Sequence, residues 1–214
     1  MKLIFLGPPG AGKGTLAIKV MDMFKLPHIG TGAIFRSAIA AKTPLGVKIK
    51  AIIDAGQLVD DETTVALVKE RLAEDDVQNG YLLDGFPRTI LQADALAEFS
   101  FVDKVINFQV PDSLVLERLS GRLVCRGCGY NFHKTYDKPK KEGVCDYCGG
   151  EIYTRPDDNP VSIQKRIEVY QEQTAPLIDY YREKQLLFDL DARPTADKVM
   201  ENLIRGLGMI ISGV

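Results

Sequence analysis

Short apolar runs alternate along this chain with longer stretches in which apolar residues recur every three or four positions. Lys2–Leu6 is such a run, closed by Gly7-Pro8-Pro9-Gly10, and reads as a buried strand. From Lys13 to Phe24, Leu16, Val20 and Met23 return at helical spacing. Further helices are expected over Thr31–Ala41, from Pro44 onward, and to about Ala73 behind a cap at Asp60 or Asp61. Tyr81–Asp84 and Val105–Val110 read as strands, Thr89–Phe99 and Ser113–Gly121 as helices. Ile163, Ile167 and Tyr170 mark a long helix that Pro176 either kinks or restarts. Leu186–Leu190 and Thr195–Leu207 complete the pattern as a strand and a helix.

Strands alternating with helices imply parallel pairing through right-handed crossovers, hence a three-layer α/β fold. Cys125–Asp158 breaks the alternation; it is rich in Gly, Lys, Tyr and Cys and too poor in aliphatic residues to fold unaided. The 214 residues suit one large domain, or one carrying an insertion. Hydrophobic residues at 45% and charged residues at 26% exclude disorder, collagen and coiled coil for the whole chain. A net charge of −2 argues against a dedicated nucleic-acid binder. No apolar run approaches the roughly 20 residues that span a bilayer. Leu3–Leu6 is shorter than a signal-peptide core, and the apolar end Met209–Val214 is also too short to span. The expected compartment is the cytosol, with no membrane partner.

Two motifs carry chemistry. Gly7-Pro-Pro-Gly-Ala-Gly12-Lys13 follows a strand and opens a helix, as a phosphate-binding P-loop does. Its glycines let backbone N–H groups converge on an anion, the helix adds its positive end, and Lys13 adds a point charge. Gly14 stands where Ser or Thr is usual; Thr15 follows, facing either the Mg²⁺ shell or a phosphate. Asp84, ending an apolar strand, suits the carboxylate near Mg²⁺. The second motif is Cys125-x-x-Cys128 and Cys145-x-x-Cys148, 16 residues apart. In a reducing compartment this spacing favours a structural tetrahedral Zn²⁺ over two disulfides, with iron a further alternative. Gly129 and Gly149 would help each knuckle turn and free N–H groups for sulfur, and His133 is a candidate fifth ligand.

Gly7–Thr15, Thr31-Gly32 with Arg36, Asp84-Gly-Phe-Pro-Arg88 with Gln92, and Gly121-Arg122 before the insert together resemble adenylate kinases of the long, zinc-lid bacterial type. The resemblance implies a P-loop fold with a central five-stranded parallel sheet and a small zinc-bound lid. Residues 1–29, 60–120 and 159–214 would form the core, 30–59 a mobile AMP-binding segment and 121–158 the lid. It implies phosphoryl transfer from Mg·ATP to AMP, giving two ADP, by a cytoplasmic monomer. Gly10, Ala11, Gly12, Lys13, Gly14, Thr15, Arg118, Arg122, Asn131, Phe132 and Pro194 would hold ATP. Thr31, Arg36, Gln57, Leu58, Val59, Gly85, Phe86, Pro87, Arg88, Gln92, Arg155 and Arg166 would hold AMP, with Gln92 on the adenine edge. Lys13, Arg88, Arg122, Arg155 and Arg166 would surround the transferring group.

Ala33, Gly30, Leu16 and Leu123 depart from the family's usual Asp, Ser, Gln and Arg. Ala33 is expected to alter the AMP segment or the Mg²⁺ water network modestly. The acceptor, a phosphate oxygen, is already ionised, so no general base is expected; positioning and charge neutralisation suffice. Asp157 and Asp158 either close onto arginines or form a solvent-facing hinge. A kinase for UMP or CMP, or one using GTP, is the sibling alternative. The other is a non-enzymatic switch whose ribbon binds nucleic acid through Arg126, Lys134, Lys138, Lys140 and Lys141 with Tyr130, Phe132 and Tyr136.

Overall fold

The computed structural model describes residues 1–208, and Met209–Val214 lies outside them. Strand β1 is Lys2–Leu6: Leu3 and Phe5 face one side of the sheet, Ile4 and Leu6 the other. A strand covered on both faces must be apolar at successive positions, hence the unbroken run. With β2 (His28–Gly30), β3 (Tyr81–Asp84), β4 (Lys104–Gln109) and β8 (Leu187–Asp191), it forms a five-stranded parallel sheet in the order β2-β3-β1-β4-β8. The hydrophobic pattern predicts no strand at His28–Gly30. Those three residues carry one fully apolar side chain, and only pairing with β3 makes them a strand.

Helices α1 (Lys13–Phe24) and α9 (Ala196–Gly206) cover one face with Leu16, Val20, Met200 and Leu203. Helices α4 (Asp61–Arg71), α5 (Ile90–Phe99) and α8 (Pro176–Glu183) cover the other with Val68, Leu96 and Leu177. The N-cap of α4 is Asp60, whose carboxylate accepts from Thr63 N at 2.8 Å. Asp61 is therefore the first helical residue, its side chain free for other work. Helices α2 (Thr31–Ala40) and α3 (Pro44–Asp54) build a separate small core from Phe35, Ile49 and Val59.

The inserted segment folds as a three-stranded antiparallel sheet, β6-β5-β7, from Arg122–Cys125 (β5), Asn131–His133 (β6) and Ile152–Tyr153 (β7). Helices α6 (Asp112–Ser120) and α7 (Pro160–Val169) flank it and pack together through Val115, Leu119, Ile163 and Ile167. Pro176 restarts the helix rather than kinking it. Tyr170–Thr174 widen into a π-type turn, Ala175 N bonds Tyr170 O at 2.8 Å, and α8 begins at the proline, which has no N–H to give. Among the described residues, no helix is long and apolar enough to cross a membrane.

Leu83 is fully buried and immediately precedes Asp84. Leu83→Ala is expected to cost about 2–5 kcal/mol in urea unfolding. A loss below about 0.5 kcal/mol would contradict this packing.

Candidate active site

Register places Phe5 and Gly30 beside Asp84, so β1, β2 and β3 end together at the carboxyl edge of the sheet. That edge is where open α/β sheets take ligands. β1 runs into the glycine loop, and Gly12, at φ 93°, caps α1 in a left-handed conformation that favours glycine. No side chain caps α1 and no acid lies in its first turn. Its first N–H groups thus lack a side-chain partner, and the helix dipole is uncompensated: both favour an anion.

Lys13 Nζ donates to the loop's own carbonyls, Gly7 O at 2.7 Å and Pro8 O at 2.8 Å. Burial, then Arg88, Arg166 and Arg122, bring its pKa down to about 8 against the pull of Asp84. Burial would raise the pKa of Asp84, but His28, Lys13 and Arg88 outweigh it and hold the carboxyl below its ordinary range. His28 Nε2 lies 3.5 Å from Asp84 Oδ2 and, though buried, makes no hydrogen bond. The sequence offered no signal for this neighbour, because β2 has no pattern of its own.

Arg36, Arg88, Arg122, Arg155 and Arg166 line the same space. Arg88 Nε donates to Gly85 O at 2.8 Å. Arg122 grips Asp158 as a fork, Nε to Oδ2 at 2.8 Å and Nη2 to Oδ1. Arg166 Nη1 reaches Asp157 Oδ2 at 3.0 Å and Asp158 Oδ1 at 3.1 Å. Both aspartates are therefore buried among arginines, not hinge residues facing solvent. Arg36 lines the space, and Arg155 Nε is buried there without a partner. Burial and then Arg122 and Arg36 push the Arg155 pKa down to about 9. Arg166 is pushed down to about 10 by burial and then Arg122. The guanidiniums stay charged at neutral pH; the shifts reflect burial first and like-charge crowding second, and an anionic ligand would relieve the crowding.

The cavity, a cleft open to solvent, measures about 1290 Å³, more than one small ligand ordinarily occupies. Gly10, Ala11, Gly12, Gly14, Thr15, Arg118, Asn131, Phe132 and Pro194 line it. Arg118 is tied to Ala11 O at 3.3 Å and Ala192 O at 3.0 Å. A β-carbon on Gly14 would sit 3.6 Å from Asn131 Nδ2, so the inserted sheet lies over the glycine loop. A side recess holds Thr31, Gln57, Leu58, Val59 and Gln92, and shares Arg36, Gly85, Arg88 and Arg166 with the main cavity. Pro87 lines the main cavity, whereas Phe86 is wholly buried and lines neither space. Ala33 faces the main cavity, while Leu123 packs into the insert's core with Cys125 and Phe132.

The four cysteine sulfurs lie within 4.8 Å of one another. Cys125 and Cys148 are 3.4 Å apart, Cys128 and Cys145 3.6 Å. A tetrahedral zinc tetrathiolate has sulfur–sulfur edges of ~3.8 Å, so the residues fit one such ion. The N–H groups that reach sulfur belong to Gly127 and Cys128, both on Cys125. Gly129 and Gly149 instead donate to the carbonyls of Cys125 and Cys145, closing the knuckles. His133 stands outside the cluster; its Nδ1 accepts from Thr135 N at 3.0 Å.

The adenylate kinase family model matches residues 5–186. The chain belongs to the adenylate kinase family. It is 58% identical to an adenylate kinase of Treponema denticola over 94% of this chain and 96% of that protein. It is 50% identical to one of Clostridium tetani, over 98% and 100% of the two chains. An adenylate kinase of Desulfitobacterium hafniense is 49% identical over 95% and 96%. The chain is accordingly an enzyme, a phosphotransferase acting between ATP and AMP.

The lowered Lys13 pKa gives a signed prediction. Near pH 8.5 free Lys13 is largely neutral, and phosphate beside it raises its pKa, so binding takes up a proton. Near pH 6.5 it is already charged and contributes no uptake. Calorimetry of ATP binding in buffers of different ionisation enthalpy should show this uptake at pH 8.5, absent in Lys13→Met. Equal proton uptake by both proteins would contradict it.

Proposed function

We propose that the enzyme holds Mg·ATP along the glycine loop and AMP in the side recess. Residues 30–59 then serve as the AMP-binding segment, 121–158 as the lid, and the remainder as the core. The observation that carries this reading is the sharing of Arg36, Arg88 and Arg166 between the two spaces. A shared set of guanidinium forks suits two phosphate chains meeting end to end.

Gly10–Thr15 cradle the β and γ phosphates, and Arg118, Asn131, Phe132 and Pro194 border the donor nucleoside. Thr31, Gln57, Leu58, Val59, Gly85, Pro87 and Gln92 border the acceptor. Thr31 is already fixed by donating to Gly85 O at 2.8 Å. Phe86 acts by packing, from within the core. Lys13, Arg88, Arg122, Arg155 and Arg166 neutralise the group in flight. Mg²⁺ bound with ATP supplies further charge neutralisation on the phosphates, and Asp84 is the carboxylate that would hold its water shell. The AMP phosphate is already anionic, so the protein's task is orientation and the exclusion of competing water.

The cysteine cluster takes zinc, and with four thiolates it leaves no position for substrate, so the metal serves the fold of the lid. Four metal-ready thiols suit a reducing cytosol. Every group of both subsites comes from one chain, which supports a working monomer. The insert's aromatic residues Tyr130, Phe132 and Tyr136 line the nucleotide cavity, and Arg126 pairs with Glu151; both favour free nucleotides over nucleic acid.

A coupled assay with ATP and AMP tests the reading: two ADP per ATP consumed is expected, and ATP loss without AMP dependence would refute it. Arg88→Lys keeps the charge but loses the fork, so kcat/KM for AMP should fall by about 100-fold while KM for ATP moves less than about threefold. Equal losses for both substrates would overturn the assignment. Stripping zinc should lower the calorimetric melting temperature, with recovery on adding Zn²⁺; identical melting curves would exclude a structural metal.

A further inference from the structure

Gln92 is almost fully buried, yet it borders the side recess. Its amide has two hydrogens and two lone pairs to place. Oε1 accepts from Arg88 N at 2.8 Å, and Nε2 donates to Asp61 Oδ1 at 2.7 Å. One donor and one acceptor are left over. Adenine offers the complement on its N1 and 6-amino edge: one acceptor and one donor. Hypoxanthine has the same ring and size but inverts that edge, with N1–H as donor and O6 as acceptor.

An amide can meet either edge by turning over, so Gln92 alone does not discriminate. The orientation must be imposed from behind, and the two partners behind it are of fixed polarity. The Asp61 carboxylate only accepts, and the Arg88 backbone N–H only donates. Turning the amide over would set oxygen against Oδ1 and N–H against N–H. Thr89 removes the remaining freedom: its hydroxyl donates to the same Asp61 Oδ1 at 3.0 Å and accepts from Gln92 N at 3.1 Å. Asp61 is available because Asp60 caps α4 in its place. It lines neither space itself.

We infer that Asp61 is a specificity-determining positioning residue, which locks the Gln92 amide in the orientation that accepts adenine and rejects 6-oxopurines. The inference rests on the proposed contact between Gln92 and the AMP base.

The experiment compares kcat/KM for AMP and for IMP, with ATP as donor, in the unmodified enzyme and in Asp61→Asn, Asp61→Ala and Gln92→Leu. Asparagine can donate as well as accept, and alanine does neither, so both remove the Asp61 half of the lock and leave only the Arg88 N–H to orient the amide. The AMP-to-IMP ratio should fall by about tenfold or more in both Asp61 variants, through a gain for IMP as well as a loss for AMP. A role confined to stabilising α4 would lower the melting temperature and scale both substrates together, leaving the ratio unchanged. If Gln92→Leu collapses the ratio while both Asp61 variants keep it, the lock is refuted and the Gln92 contact stands. If Gln92→Leu also keeps it, both readings are refuted.

Discussion

Like charges forced together out of water are the constraint on which this structure turns. Lys13, Arg36, Arg88, Arg122, Arg155 and Arg166 border one cavity; Asp84 opposes them from its lining, and Asp157 and Asp158 from behind Arg122 and Arg166. Such a crowd costs free energy, and the pKa values of Lys13, Arg155 and Arg166, lowered first by burial and then by neighbouring arginines, register that cost. Two nucleotide anions also repel each other. In the complex we propose, bringing the two sets together relieves both, with the largest gain where charge spreads over the transferring phosphoryl oxygens. Arg122 and Arg166 are held by aspartates and Lys13 by carbonyls, so these cations are positioned before any ligand arrives.

The fold exists to hold that crowd in place. A sheet buried on both faces gives a rigid carboxyl edge, from which the glycine loop, Asp84 and α2 depart side by side. Arg166, in α7, reaches back into the same cavity, and Asp157 and Asp158, in the turn before α7, hold Arg166 and Arg122 there. The π-type turn beyond α7 contributes too: Thr174 donates to Arg88 O at 2.9 Å, fixing the backbone that carries the central arginine. The inserted segment has little apolar mass of its own. Its core is Cys125, Phe132 and Cys145 with Leu123, Tyr130 and Ile152, so two of the four clustered cysteines are also its packing centre.

Most of the sheet was legible because strands covered on both faces announce themselves as apolar runs. β2 was not, because its three residues are a strand only by virtue of β3. The P-loop and cysteine knuckles were legible because their chemistry demands fixed spacings within a short segment. Asp157 and Asp158 could be read two ways in sequence, and only tertiary pairing with Arg122 and Arg166 decides between them. His28 carried no signal and Asp61 only that of a candidate helix cap: each touches a neighbour distant in sequence, Asp84 and Gln92 respectively. The glycines after each cysteine pair were rightly read as turn formers, but their N–H groups go to carbonyls, a detail that backbone geometry alone determines.

If the shared guanidinium cluster works as described, donor and acceptor must occupy it together. The direct measurement is calorimetric titration of AMP into enzyme saturated with a non-hydrolysable ATP analogue and Mg²⁺. The account predicts one AMP per chain, binding no more weakly than to free enzyme. Competition between AMP and the analogue, with no ternary complex at any concentration, would contradict it.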